Sequence, residues 1–237
     1  MKKIALLKEV ENYPIFNNKI IRELAKKGNE YTRLLIHRLK KEGLITEIEK
    51  DKYTVYEDPL LIASKIIWPS YISCWTSLRY FNLTEQFPKN IFIVTTRNKK
   101  EKMILFKKTK IIFIKTKPKY FLGFKKERYN NFDIFIATPE KAIIDSILFK
   151  KISFSEIADI IKIHKKEFNY KLFKDYLLKI KNKSLIKRFG FLFDNLKIDY
   201  YKHFKKYIDN KYILLDYAMP KKGIQNKKWR IIENVRL

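Results

Sequence analysis

The sequence predicts an α+β chain in two parts, a small helical N-terminal domain over 1–57 and a larger mixed α/β domain over 58–237. Three observations predict it. Apolar residues recur at helical spacing through Lys40, broken by a turn at Gly28. Apolar and β-branched residues then alternate on both sides of Glu49-Lys50-Asp51-Lys52, which signals a β-hairpin. Period-two runs return at Ile91–Thr96 and give way after Thr138 to a mostly helical pattern.

Lys2–Val10 reads as a helix with Ile4, Leu6, Leu7 and Val10 as contacts, broken by Tyr13-Pro14. Asn17 or Asn18 caps a second helix, Lys19–Lys27, with Ile20, Ile21, Leu24 and Ala25 facing inward. A third helix follows the Gly28-Asn29 turn at once. Asn29 is its expected cap, Glu30 suits the positive end of its dipole, and Gly43 ends it. Leu35 and Leu39 face the core; Tyr31, Thr32, Arg33, His37, Arg38 and Lys41 fall off that stripe. Helix, helix, turn, helix, hairpin is the order of a winged helix-turn-helix. In that reading the third helix presents Tyr31, Thr32, Arg33, His37, Arg38 and Lys41 to double-stranded DNA, and Lys50 and Lys52 reach phosphate from the wing. The charge of residues 1–56 is modest, 13 basic against 8 acidic. The arrangement also suits a protein-docking module that binds no DNA.

Glu57-Asp58-Pro59 marks the boundary, with Asp58 capping a helix over Leu60–Ile67 and a further helix over Ser73–Phe81 that Phe87-Pro88 closes. Strands are expected at Ile91–Thr96, Met103–Phe106, Ile111–Lys115 and Phe132–Ala137, with another at Tyr120–Phe124. This region is the most basic, with positive residues from Arg97 to Arg128 opposed only by Glu101 and Glu127. Such turns extend a DNA footprint, hold an acidic protein, or simply carry solvated lysine that discourages edge-to-edge aggregation. Thr138-Pro139-Glu140 caps a helix running to about Lys150. Helices are then expected at Ser155–Ile163, Tyr170–Ile180, Ser184–Phe193 and Tyr200–Tyr207, with Asn182 and Gly190 as breakers. Strands at Tyr212–Leu215 and Trp229–Ile232 close the sequence.

Lys+Arg 53 against Asp+Glu 25 gives a net charge of +28 over 237 residues, which favours a polyanionic partner. Part of that excess follows the abundance of Lys, Ile, Asn, Tyr and Phe, as in AT-rich coding. The single cysteine, Cys74, forms no intramolecular disulfide and fits a reducing interior. The first residues lack the cleavage site of a signal peptide, and no apolar run has the ~18 residues of a span. A cytoplasmic protein with no membrane partner is expected.

Little here supports catalysis. His37, His164 and His203 stand alone, without metal-ligand spacing, and Cys74 sits in an apolar run. A GxSxG elbow and a P-loop are absent, so no catalytic residue, metal or cofactor is expected. The one enzyme reading worth weighing is a metal-dependent nuclease built from Asp133, Glu140, Lys141, Asp145 and Asp216. The adjacency of Glu140 and Lys141 suits helix capping better than ligation.

Several segments carry a resemblance: the N-terminal helices and hairpin, YISCWTSLRYFNL at Tyr71–Leu83, the strand Ile91–Thr96, ATPEKAIIDSI at Ala137–Ile147, and the ending LLDYAMPKKGIQNKKWRIIENV. With these the chain resembles the AbiEi family of type IV antitoxins, which are also transcriptional regulators of phage-defence (abortive infection) operons. The Tyr71–Leu83 segment departs from the family in having Thr76-Ser77-Leu78 where Ser-Ala-Leu is frequent. The resemblance implies an N-terminal domain that binds inverted repeats in its own promoter. It implies a C-terminal domain that counteracts a nucleotidyltransferase-like toxin encoded next door.

Overall fold

The structure, a computed structural model, describes residues 3–86 and 89–237. The expected helix start at Lys2 and the expected break at Phe87-Pro88 lie outside these. The fold is α+β. The chain forms two compact units, both discontinuous: Met1–Ile72 with Lys89–Lys115 and Lys126–Phe135, and Ser73–Pro88 with Thr116–Lys125 and Ile136–Leu237. Residues 1–57 lie within the first unit, together with most of a mixed sheet.

The first unit opens with α1 (Lys3–Val10), α2 (Asn18–Ala25) and α3 (Asn29–Lys41). Asn17 caps α2, its side chain accepting from the Ile20 N–H at 3.0 Å. At α3 the expected cap is corrected. Gly28 holds the cap position without a side-chain bond, and Asn29 is the first helical residue, accepting from Arg22 at 2.8 Å. Gly43 does terminate α3. Its φ of 69° lets Gly43 N–H reach Lys40 O and Leu44 N–H reach Leu39 O, the paired bonds of a Schellman ending. A hairpin of β1 (Thr46–Glu49) and β2 (Lys52–Thr54) follows, turning at Lys50-Asp51. Phe16 bridges to Tyr53 in both directions, at 2.9 and 2.8 Å, which ties the α1–α2 connection to the hairpin. Leu6, Val10, Phe16, Ile21, Ile36, Leu39, Ile45 and Tyr53 form one apolar core beneath these elements.

The same unit continues through α4 (Pro59–Lys65), capped by Asp58 as expected, and into β3 (Ser70–Ser73). Then come β4 (Asn90–Thr95), β5 (Met103–Phe106), β6 (Thr109–Lys115), β7 (Phe124–Tyr129) and β8 (Phe132–Ala137), in the sheet order β5-β6-β4-β3-β8-β7. β4 runs parallel to β6, and β5 antiparallel to β6. The expected Ser73–Phe81 helix forms over Cys74–Tyr80, but it is preceded by an unforeseen strand, β3, buried at all four positions between β4 and β8. One expectation is corrected here. The strand expected at Tyr120–Phe124 begins instead at Phe124, after a 3₁₀ turn at Pro118–Tyr120. Asn130 and Asn131, both at positive φ, form the tight turn into β8.

The second unit contains α5 (Cys74–Tyr80), α6 (Pro139–Leu148), α7 (Phe154–Ile163), α8 (Tyr170–Ile180), α9 (Lys183–Asn195) and the short α10 (Tyr201–Phe204). β9 (Ile213–Leu214), β10 (Ile224–Asn226) and β11 (Ile231–Glu233) form a small sheet in the order β10-β11-β9. α6 starts as its sequence predicts, with the Thr138 hydroxyl accepting from Lys141 N–H and Pro139 in the first turn. Every residue from Glu140 to Ile147 is buried, so α6 is the interior helix of this unit. Gly190 does not break its helix; it lies inside α9 against the Trp229 ring.

Candidate nucleic-acid interface

α2 and α3 are joined by Lys26, Lys27 and Gly28, with Lys26 in the left-handed conformation that ends α2. The buried stripe of α3 is Thr32, Ile36 and Leu39, with Leu35 partly buried beside them. At 3.6 residues per turn the opposite face carries Arg33, His37 and Lys41 in one row. Leu34 and Arg38 stand next to that row, and Tyr31 lies beyond Arg38. All six are exposed. The structure therefore brings Tyr31, Arg33, His37, Arg38 and Lys41 onto one solvent-facing surface.

Thr32 and Lys52 leave the predicted set. Thr32 is only 2% exposed, and its hydroxyl donates to the Gly28 carbonyl at 2.9 Å, inside the first turn of α3. Its hydroxyl is thus spent on the backbone of its own helix, and the residue only borders the cavity beside α2 and α3. Lys52 turns away from the hairpin tip. Its ammonium donates to the Ile66 carbonyl at 2.7 Å and pairs with Glu49 at 2.6 Å. Lys50 remains exposed at the turn. Its neighbour Asp51 accepts the Asn18 N–H at 2.9 Å, which holds the hairpin turn at the start of α2.

The residues that sequence reasoning missed lie on α2 and the turn. A cavity of about 250 Å³ is lined by Lys19, Arg22, Asn29, Arg33 and Asp51, among others. Lys26 and Lys27 are exposed, and the Lys27 ammonium stands 5.8 Å from the Tyr31 ring centre. Leu34 was also missed; it is 59% exposed in the middle of the basic face. A Leu at such a place offers the apolar contact that a thymine methyl accepts. Helical spacing alone was enough to find it.

The distribution of ion pairs shapes the surface more than the charge count does. Glu42 is taken by Lys3, Glu47 by Lys40, and Glu49 by Lys52 and Lys99. The hydrogen bond to Glu47 holds the Lys40 ammonium above its usual range. Burial alone would raise the Glu49 carboxyl; the hydrogen bonds from Lys52 and Lys99 outweigh it and lower the carboxyl. Among the described residues Lys26, Arg33, Arg38, Lys41 and Lys50 make no ion pair. Glu42, Glu47 and Glu49, the acids that follow the basic end of α3, are thus neutralised by lysines outside the exposed face, while Arg33, Arg38 and Lys41 on that face carry unpaired charge.

The carboxylates considered for nuclease chemistry are all engaged. Asp145 is fully buried, paired with the buried Lys141 and accepting from the Ser73 hydroxyl at 2.8 Å. Glu140 accepts the Asn169 N–H at 2.9 Å. Asp216 is buried and accepts from Ser155 N–H and hydroxyl at 2.9 and 2.8 Å. In the other unit Asp133 pairs with Lys126 and Arg128 at 2.7 and 3.3 Å. Among the described residues no group of three His, Cys, Asp or Glu side chains is disposed to hold a metal ion.

No family model matches the chain, and no curated protein matches it either. Among the described residues no helix is long and apolar enough to cross a membrane.

Proposed function

We propose that the chain is a DNA-binding transcriptional repressor and the antitoxin of a type IV toxin–antitoxin system, without enzymatic activity of its own. In this reading α1 to α3 and the β1–β2 hairpin act as a winged helix-turn-helix. α3 enters the major groove of an inverted repeat in the chain's own promoter. Arg33, His37, Arg38 and Lys41 contact bases and phosphate, with Tyr31 and Leu34 beside them. Lys50 reaches backbone from the wing, and Lys26 and Lys27 add phosphate contacts from the turn. The observation that carries the reading is the exposed face of α3, whose cations lack ion pairs while Glu42, Glu47 and Glu49 are neutralised by other lysines.

The antitoxin half of the proposal rests on the resemblance of Tyr71–Leu83, Ala137–Ile147 and the C-terminal segment to AbiEi antitoxins. Its partner is a nucleotidyltransferase-like toxin in a cytoplasmic setting. Two measurements test the proposal. Fluorescence anisotropy on a duplex carrying the upstream repeat should show binding that weakens steeply with salt. Arg33→Ala plus Arg38→Ala should lose at least about tenfold in affinity, since each base or phosphate contact contributes ~1–3 kcal/mol. Unchanged affinity overturns the DNA assignment. Co-expression with the neighbouring toxin gene should restore growth with the wild type and with the double variant alike; no rescue by the wild type overturns the antitoxin assignment.

A further inference from the structure

We infer a second anion site, separate from α3: a pocket at the carboxyl ends of β4 and β6 that takes a phosphate group. The two strands are parallel neighbours, and Thr95 lies opposite Lys115 where both run out. At such an end the connecting loops splay apart and leave a crevice. Here the loop from β4 to β5 supplies Arg97, Asn98, Lys99 and Lys102, and β6 supplies Phe113 and Lys115. Together they line a cavity of about 320 Å³. Phe113 is buried, and the Lys99 ammonium stands 4.9 Å from its ring centre.

Four cations face this cavity, and among the described residues the only acid paired to any of them is Glu49. It binds Lys99 at 2.5 Å and also serves Lys52. Among the described residues Arg97, Lys102 and Lys115 have no ion pair, and all three are exposed. Like charges gathered around a concave surface raise the local potential and favour an anion that bridges them. The arginine fork and the lysines match the oxygens of phosphate. Protection of a sheet edge does not account for the whole cluster: Lys102 leads into the edge strand β5, but Arg97 follows β4 and Lys115 ends β6, both interior strands. The phosphate comes either from a free ligand such as a nucleotide or from the backbone of a duplex.

The test uses the ¹⁵N-labelled full chain at constant ionic strength, titrated with ATP as probe. Saturable shifts are expected at the amides of residues 97–102 and 113–115. Arg97→Ala plus Lys115→Ala should weaken binding by about tenfold or more. Lys108→Ala plus Lys110→Ala removes the same charge from residues that do not line the pocket and should leave binding unchanged. Absence of saturation, or equal weakening in both double variants, overturns the proposal. A scrambled-sequence duplex then separates the sources. Displacement of ATP by the duplex assigns the site to backbone phosphate; ATP retained beside the duplex assigns it to a free ligand. Arg33→Ala plus Arg38→Ala should leave ATP binding intact, so failure of the α3 reading and failure of this site are told apart.

Discussion

The Lys52 ammonium lies 2.7 Å from the carbonyl oxygen of Ile66, so the lysine that opens β2 just past the hairpin turn serves the interior of its own unit. Lys50, two residues earlier, points to solvent. The two lysines should therefore separate experimentally. Lys50→Ala should lower the slope of log affinity against log salt by roughly 1, as loss of one phosphate contact does. Lys52→Ala should leave that slope unchanged and lower the urea midpoint. Thr32→Val should behave like Lys52→Ala, with about 1 kcal/mol of stability lost from the bond to Gly28. Salt titrations and urea melts on the three variants check this, and a lower salt slope in Lys52→Ala would restore it to the interface.

Gly190 should tolerate no larger side chain. A β-carbon there would stand 2.1 Å from Cζ3 and 2.3 Å from Cη2 of Trp229. Trp229 cannot easily retreat, because its indole N–H donates to Asp194 at 2.6 Å and the ring is 1% exposed. Gly190→Ala gains about 1 kcal/mol of helix propensity but forces overpacking that costs ~1–3 kcal/mol. A net loss of up to about 2 kcal/mol is expected in urea unfolding. Trp229→Phe should recover part of it, a coupling readable from the double-mutant cycle.

Cys74 should be chemically silent in the native chain. It is fully buried, and burial, with the Asp145 carboxylate nearby, pushes its thiol up to about 12. Thiolate is the reacting species, so an aromatic disulfide reagent at neutral pH should label Cys74 only as fast as the chain opens. Rapid stoichiometric labelling of folded protein would contradict the assignment.

Acid should weaken the second unit within a defined window. Hydrogen bonds from Lys187 at 2.6 Å and Lys183 at 3.1 Å hold the Asp209 carboxyl down at about 2. The unfolded value is about 3.9. A carboxyl whose pKa is depressed by folding adds stability that is present above the unfolded value and lost as pH falls toward the folded one. Stability should therefore decline between about pH 4 and pH 2. Asp209→Asn should flatten that part of the curve. It should also destabilise the chain near neutrality, because Lys187 is 2% exposed and would lose its counter-charge.

Much of the local structure was legible from single residues. Asn17, Asp58, Thr138 and Gly43 mark helix ends through short-range chemistry, and each does so in the structure. The hairpin after Gly43 and the strands β4, β5, β6 and β8 followed from alternation alone. The candidate surface on α3 was legible in the same way, because helical spacing separates Arg33, His37 and Lys41 from Ile36 and Leu39. Polar residues were the limit. Thr32 was counted with the open face because it is polar, yet it lies on the stripe of Ile36 and Leu39 and bonds within its own turn.

The sequence by itself determined most helix ends and which faces are apolar, because those depend on neighbours within a turn or a strand. Only the tertiary structure decided that YIS before Cys74 is an interior strand, that Gly190 belongs inside a helix, and that Lys141 and Asp145 neutralise each other out of water. It also decided which lysines keep their charge, since Glu49 meets Lys99 from 50 positions away. Burial and pairing of a charged side chain are set by partners distant in the chain, and local periodicity carries no record of them.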